Sequence, residues 1–188
     1  KKIRMGSKTL YVQPWVDKPR KQSSAQGRDK ERFTRFHQAQ ILFEQFAERS
    51  QDLNNGSALG IMTFHDKVSE VCALSTVLED FKDHMRERWD LGGQTCLYDA
   101  IACASESLRG FRADRNMRLR MLVLTDGEDE GSSTTFDELH KQLAGGDILI
   151  DSVVIGGSTS WKSWDLDVLS HASGGAQFRP STLNEAVR

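Results

Sequence analysis

Oxygen donors crowd one short stretch of this chain. The apolar run Met121-Leu122-Val123-Leu124 stops abruptly at Thr125-Asp126-Gly127-Glu128-Asp129-Glu130. Four apolar residues bounded by turn residues fit a strand buried on both faces of a parallel sheet. Asp126 would then project from the carboxyl end of that strand, where open α/β sheets place their ligand sites. Glu128, Asp129 and Glu130 extend the acidic turn. They read either as a solvated loop that also caps the following helix, or as an acidic rim that tunes metal affinity or meets a basic partner. Upstream, Gly92-Gly93-Gln94-Thr95 forms a second candidate loop, and Asp17 ends the strand-like segment Thr9–Asp17. Trp161 and Trp164 stand close together in a polar stretch. They either cover the next helix or anchor a partner, since aromatic residues dominate interface hot spots.

Other chemistry finds no residues to carry it. His37, His65, His84, His140 and His171 are scattered and fall in no metal-ligand pattern. Cys72, Cys96 and Cys103 also lack ligand spacing. Cys96 and Cys103 lie two helical turns apart and read as small core residues rather than a redox pair. Gly156-Gly157-Ser158-Thr159-Ser160 lacks the Gly-Lys-Ser/Thr ending of a phosphate loop. No Gly-x-Ser-x-Gly elbow and no nucleophile–base pair appears at a strand end. The reading is non-enzymatic.

The elements that must position these residues alternate along the chain. Residues 1–8 are a basic lead-in, and Thr9–Asp17 is a strand in which Pro14 is awkward, because proline cannot donate to a ladder. A helix is predicted from Arg32, on Phe33, Phe36, Ile41, Phe43, Phe46 and Ala47, ending before Asp52. Ala58–Phe64 is a strand, His65–Lys67 a turn, and Val68–Leu74 an antiparallel edge strand. Thr76 is a candidate cap, with Glu79 three residues on, for a helix through Val77, Leu78, Phe81 and Met85 to Trp89. Leu97–Phe111 is a helix with the stripe Leu97, Ile101, Ala104 and Leu108. Leu119–Leu124 is the buried strand. A helix starting at Thr135 stops at Gly145-Gly146. Ile148–Ile155 is a strand, Asp165–His171 a helix ending at Gly174-Gly175, Ala176–Arg179 a short strand, and Leu183–Arg188 the opening of a final helix. The expected fold is α/β: a doubly wound, mostly parallel central sheet with one antiparallel edge strand and helices on both faces. Residues 9–188 form a single domain.

This order, with Gly92-Gly93-Gln94-Thr95-Cys96-Leu97-Tyr98-Asp99-Ala100-Ile101 before Leu122-Val123-Leu124-Thr125-Asp126-Gly127-Glu128-Asp129, resembles the von Willebrand factor type A (VWA) domain from about Thr9 to Arg188. The resemblance implies a Rossmann-like fold and a metal-ion-dependent adhesion site at the top of the sheet. In that site Asp-x-Ser-x-Ser, a threonine and an aspartate surround a divalent cation, and a partner's carboxylate fills an open position. Mg²⁺ suits such oxygen ligands. Thr95 matches the threonine, Asp126 the aspartate, and Asp17 is the candidate for the first acid.

The match breaks after Asp17. The chain reads Lys18-Pro19-Arg20-Lys21, with Pro19 and Lys21 where the serines should stand. Proline offers no side-chain oxygen, and an ammonium repels a cation. Three readings stay open. The site is degenerate; or Lys21 folds in to replace the cation between Asp17 and Asp126; or Ser23 and Ser24 supply the missing hydroxyls.

Composition narrows the rest. In 188 residues, 38% apolar and 28% charged, the net charge is -2, which gives no global push toward nucleic acid or membrane. No apolar stretch is long enough to span a bilayer. An odd number of cysteines without ligand spacing suggests reduced thiols in an intracellular protein, although Asn55-Gly56-Ser57 matches a glycosylation sequon. The chain begins at Lys1 rather than Met, as expected of a domain excised from a larger protein. The resulting expectation is a protein-binding module whose contacts come from Lys21, Gly93, Gln94, Glu128, Asp129, Trp161 and Trp164. The alternative is a nucleic-acid-associated module using the basic segment 18–35. A nucleotide-binding enzyme lacks its Gly-x-Gly-x-x-Gly turn.

Overall fold

The computed structural model describes residues 7–14, 35–52, 56–86, 93–112, 117–125, 129–155 and 163–180. Strands β1 (Ser7–Pro14), β2 (Ala58–Phe64), β3 (Val68–Ser75), β4 (Arg118–Thr125), β5 (Ile148–Val154) and β6 (Gln177–Phe178) form one sheet. Its order is β3-β2-β1-β4-β5-β6. Only the β2–β3 pairing is antiparallel, and it joins the edge strand β3 to the sheet. The order reverses at β1, which pairs with β2 on one side and β4 on the other. The topological switch point therefore lies at the carboxyl ends of β1 and β4.

Helices α1 (Arg35–Asp52) and α2 (Leu78–Arg86) cover one face; α3 (Leu97–Phe111), α4 (Phe136–Leu143) and α5 (Ser163–Ala172) cover the other. Alternate side chains of β4 explain the division. Met121 and Val123 pack under α3, α4 and α5, while Leu124 and half-buried Leu122 face α1 and α2. The predicted stripe Leu97, Ile101, Ala104 and Leu108 is buried throughout, and burying each of its larger side chains stabilises by about 1.5–3 kcal/mol. At the far end of α3, Arg109 donates to both carboxylate oxygens of Asp147, at 3.2 and 3.0 Å, and so ties the helix to the loop before β5. Among the described residues no helix is long and apolar enough to cross a membrane.

Several expectations shift. Pro14 is tolerated because it is the last residue of β1, beyond the final β4 partner at Val12, where no ladder donor is needed on that side. Helix α1 buries Ala39, Phe43 and Ala47, a strict i, i+4, i+8 row, rather than Ile41. It also runs through Asp52. Val77 is not part of α2. Its N–H donates to the Ser75 hydroxyl and its side chain is 49% exposed. Cys103 is exposed, and only Cys96 of that pair is in the core. The expected helix at Leu183–Arg188 and the sequon residue Asn55 lie outside the described residues.

Candidate functional site

The two motif loops meet at the carboxyl end of the sheet. Thr95 is buried, in a segment that leads directly into α3. Its carbonyl accepts the N–H groups of Glu130 and Gly131, at 2.8 and 3.0 Å, from the loop after β4. The next amide, Cys96 N–H, donates to the His65 carbonyl at 3.0 Å, in the β2–β3 turn. The amide before it, Gln94 N–H, donates to Asp66 Oδ1 in the same turn. Gly93 has φ +84, and a Cβ there would overlap the Asp66 carboxylate, so this position demands glycine twice over. A Cβ at Gly131 would stand 3.0 Å from Gln94 Cβ, a tight contact but not an overlap. No described residue hydrogen-bonds the Thr95 hydroxyl.

Carboxylates fasten the loops to the helices behind them. Asp129 Oδ1 accepts Leu97 N–H at 2.7 Å, Tyr98 N–H at 3.3 Å and the Ser132 hydroxyl at 2.6 Å. It thus fills the capping role at the first turn of α3, where the cap residue Cys96 makes no side-chain bond. The acidic turn does cap a helix, but that helix is α3. The following helix, α4, has its own capping box, formed by Thr135 and Glu138. Asp99 accepts the Ser133 and Thr134 amides at 2.9 and 2.8 Å. Partial burial would raise the Asp99 carboxyl, but the hydrogen bonds from Thr134 and Ser133 outweigh it and hold the group below the usual carboxylate range. The Tyr98 hydroxyl donates to Asp165 at 2.7 Å, which links α3 to the first turn of α5. Burial, reinforced by that bond, raises the Tyr98 phenol. Burial, with the charge of Asp99 adding to it, pushes the Cys96 thiol up to about 11.

Of the residues singled out from sequence, Gly93, Gln94, Thr95 and Asp129 come together in this web, with Gly93 and Gln94 exposed. Trp164 is 64% exposed beside Asp165 at the start of α5. Asp17, Lys21, Ser23, Ser24, Asp126, Glu128 and Trp161 lie outside the described residues. Sequence reading missed Asp66, Asp99, Ser132 and Ser133. Asp99 sits inside a quoted motif, and Asp129-x-x-Ser132 has a turn-like spacing. Nothing local distinguishes Asp66 from any other turn acid. Among the described residues no three His, Cys, Asp or Glu side chains gather as a metal site.

An open, doubly wound sheet with its loops stitched together at the carboxyl end defines an α/β domain of the VWA type. The chain belongs to the von Willebrand factor type A domain family, whose model matches residues 22–128. That family is a general class of protein-interaction modules. A curated relative, the probable bifunctional E2/E3 enzyme R795 of Acanthamoeba polyphaga mimivirus, is 30% identical over 151 residues. The match covers 78% of this chain and 11% of that protein, so the chain spans about a tenth of the relative's length. Solved structures share the fold. The SpRpn10 VWA domain is 15% identical with a TM-score of 0.67, over 97% of this chain and 94% of that one. BatB of Bacteroides thetaiotaomicron is 14% identical with a TM-score of 0.69, over 97% and 93%. Proximal thread matrix protein 1 of the mussel byssus, in a form with zinc in its adhesion motif, is 15% identical with a TM-score of 0.69, over 97% and 43%.

Proposed function

We propose that this domain is a non-catalytic protein-interaction module that recognises its partner through the loops over the switch point, without a metal ion. One observation carries the reading. The Gln94–Cys96 segment is held at three backbone points by two other loops, so that a preorganised surface faces outward at the place where open α/β sheets bind. Metal independence rests on the donor set. Pro19 and Lys21 occupy the positions of two hydroxyl ligands, and a site left with Asp17, Thr95 and Asp126 holds Mg²⁺ poorly. Without a cation, an acidic partner residue would face Asp66, Asp99, Asp129, Glu130 and Asp165 across the same surface.

The mimivirus relative is named as an E2/E3 enzyme. In a longer protein of that kind, this domain would supply recognition rather than chemistry. We place it inside the cell, where Cys72, Cys96 and Cys103 stay reduced. Two measurements test the proposal. A photo-crosslinker replacing Glu130 should capture a protein that a crosslinker replacing Ala144, at the opposite end of the sheet, does not. Asp126→Ala should abolish the capture. Identical products from both positions would overturn the reading. Calorimetric titration with Mg²⁺ or Mn²⁺ should give no heat of binding; heat that disappears in Asp126→Ala would overturn metal independence.

A further inference from the structure

We infer that the β2–β3 turn belongs to the recognition site and that Asp66 is its positioning residue. The inference rests on the proposed role of the Thr95 loop and goes beyond it. Two amides flank Thr95, and both are held by this one turn: Gln94 N–H by the Asp66 carboxylate, and Cys96 N–H by the His65 carbonyl. The second bond uses backbone and is available to any residue at position 65. The first exists only because a side chain with an oxygen acceptor at this reach stands at 66 and a glycine at 93. Gly93 allows the close approach by adopting φ +84 and by leaving empty the space a Cβ would take from Asp66.

The arrangement divides labour between the two sides of the site. The loop after β4 holds the Thr95 carbonyl through Glu130 and Gly131, and through Asp129 it holds the start of α3. These contacts fix where Thr95 sits. They do not hold the peptide plane between Gly93 and Gln94, and Gln94 is exposed. Asp66 fixes that plane. It lies in an exposed turn leading into the edge strand β3, so its effect reaches the partner through Gln94 and Thr95 and not through the core. His65, by contrast, contributes a carbonyl, and its side chain is not required.

The test uses three variants and two readouts. Amide exchange in the free domain reads the clamp. Capture of the partner identified from the Glu130 crosslinker reads the site. In Asp66→Ala, exchange at Gln94 should accelerate on the order of tenfold while Cys96 stays protected, and capture should fall several-fold with the unfolding temperature nearly unchanged. Asp66→Asn keeps an oxygen acceptor and should restore both readouts. Asp66→Glu keeps the charge but moves it by one methylene, and should behave like the alanine variant. Capture that is unaffected in Asp66→Ala, or restored in Asp66→Glu, would overturn the positioning role while the recognition reading stands. A wild-type domain that captures nothing through Glu130 would sink the recognition reading, and the positioning role with it.

Discussion

Replacing Asp129 by alanine is expected to destabilise the domain by about 2 kcal/mol. Its Oδ1 holds Leu97 N–H, Tyr98 N–H and the Ser132 hydroxyl at once. Loss of a helix cap costs about 0.5–2 kcal/mol, and removing a carboxylate from a helix N-terminus adds about 0.3–1 kcal/mol. The position is half-buried, so water can reach the freed amides and the total stays near the middle of that sum. Ser132 keeps one bond of its own, because its oxygen also accepts Asp99 N–H at 3.1 Å. In a domain of this size about 2 kcal/mol corresponds to a fall in Tm of about 4–8 °C. Asp129→Asn retains the acceptor and loses only the charge, so it should cost less than about 1 kcal/mol. Urea unfolding followed by circular dichroism gives the measurement: the midpoint should move while the slope is unchanged. An alanine variant within about 0.5 kcal/mol of wild type, or an asparagine variant as damaging as alanine, would refute the capping argument.

Gly93→Ala should destabilise more than Gly56→Ala. Both positions have positive φ, worth about 1–2 kcal/mol of strain, but nothing surrounds Gly56 whereas Asp66 stands against Gly93; equal losses in urea melts would contradict this. Thiol titration of the native protein should find one accessible cysteine, Cys103, with Cys72 and Cys96 reacting only on unfolding; Cys103→Ser should remove the fast phase, and three fast thiols would be the contrary result. Hydrogen bonds from Arg109 outweigh partial burial and hold Asp147 below its ordinary value of 3.8. A depressed folded value means that its stabilisation is complete above the unfolded value near 4 and is lost as pH falls through the lower folded one. Asp147→Asn should therefore flatten the decline of the urea midpoint below about pH 4, and an unchanged decline would count against the pairing.

What the sequence made legible is set by range. Helix α3 was readable to the residue because its stripe, its Gly-rich approach and its length all agree within a fifteen-residue window. Strand β2 and the antiparallel edge were readable from an apolar run, a turn and a second run. The family resemblance rested on two motifs whose spacing and order are local properties. The fastening of the site was not readable. Asp129 is 32 residues from Leu97, Asp66 is 28 from Gln94, and a carboxylate that caps a distant helix looks like any acid in a loop. The misread of Val77 has the same root. Apolar spacing admitted it to α2, while the Ser75 hydroxyl took its amide and started the helix one residue later. Cys103 misled because helical spacing from Cys96 placed both on one face, although Cys96 precedes the helix and only the second lies on it.

The central position of β1 has a consequence for synthesis. Its two neighbours arrive at very different times: Lys8 pairs with Ala58, but Ser7 must wait for Arg118. On a ribosome, a half-sheet of β1, β2 and β3 can assemble while β4 is still untranslated, with one whole side of β1 unpaired. Such late, long-range pairing slows folding, and an open strand edge during the wait invites pairing with other nascent chains. The strand that carries the switch point is thus also the most hazardous stretch to leave unfinished, and a chaperone that binds extended backbone would find its target there.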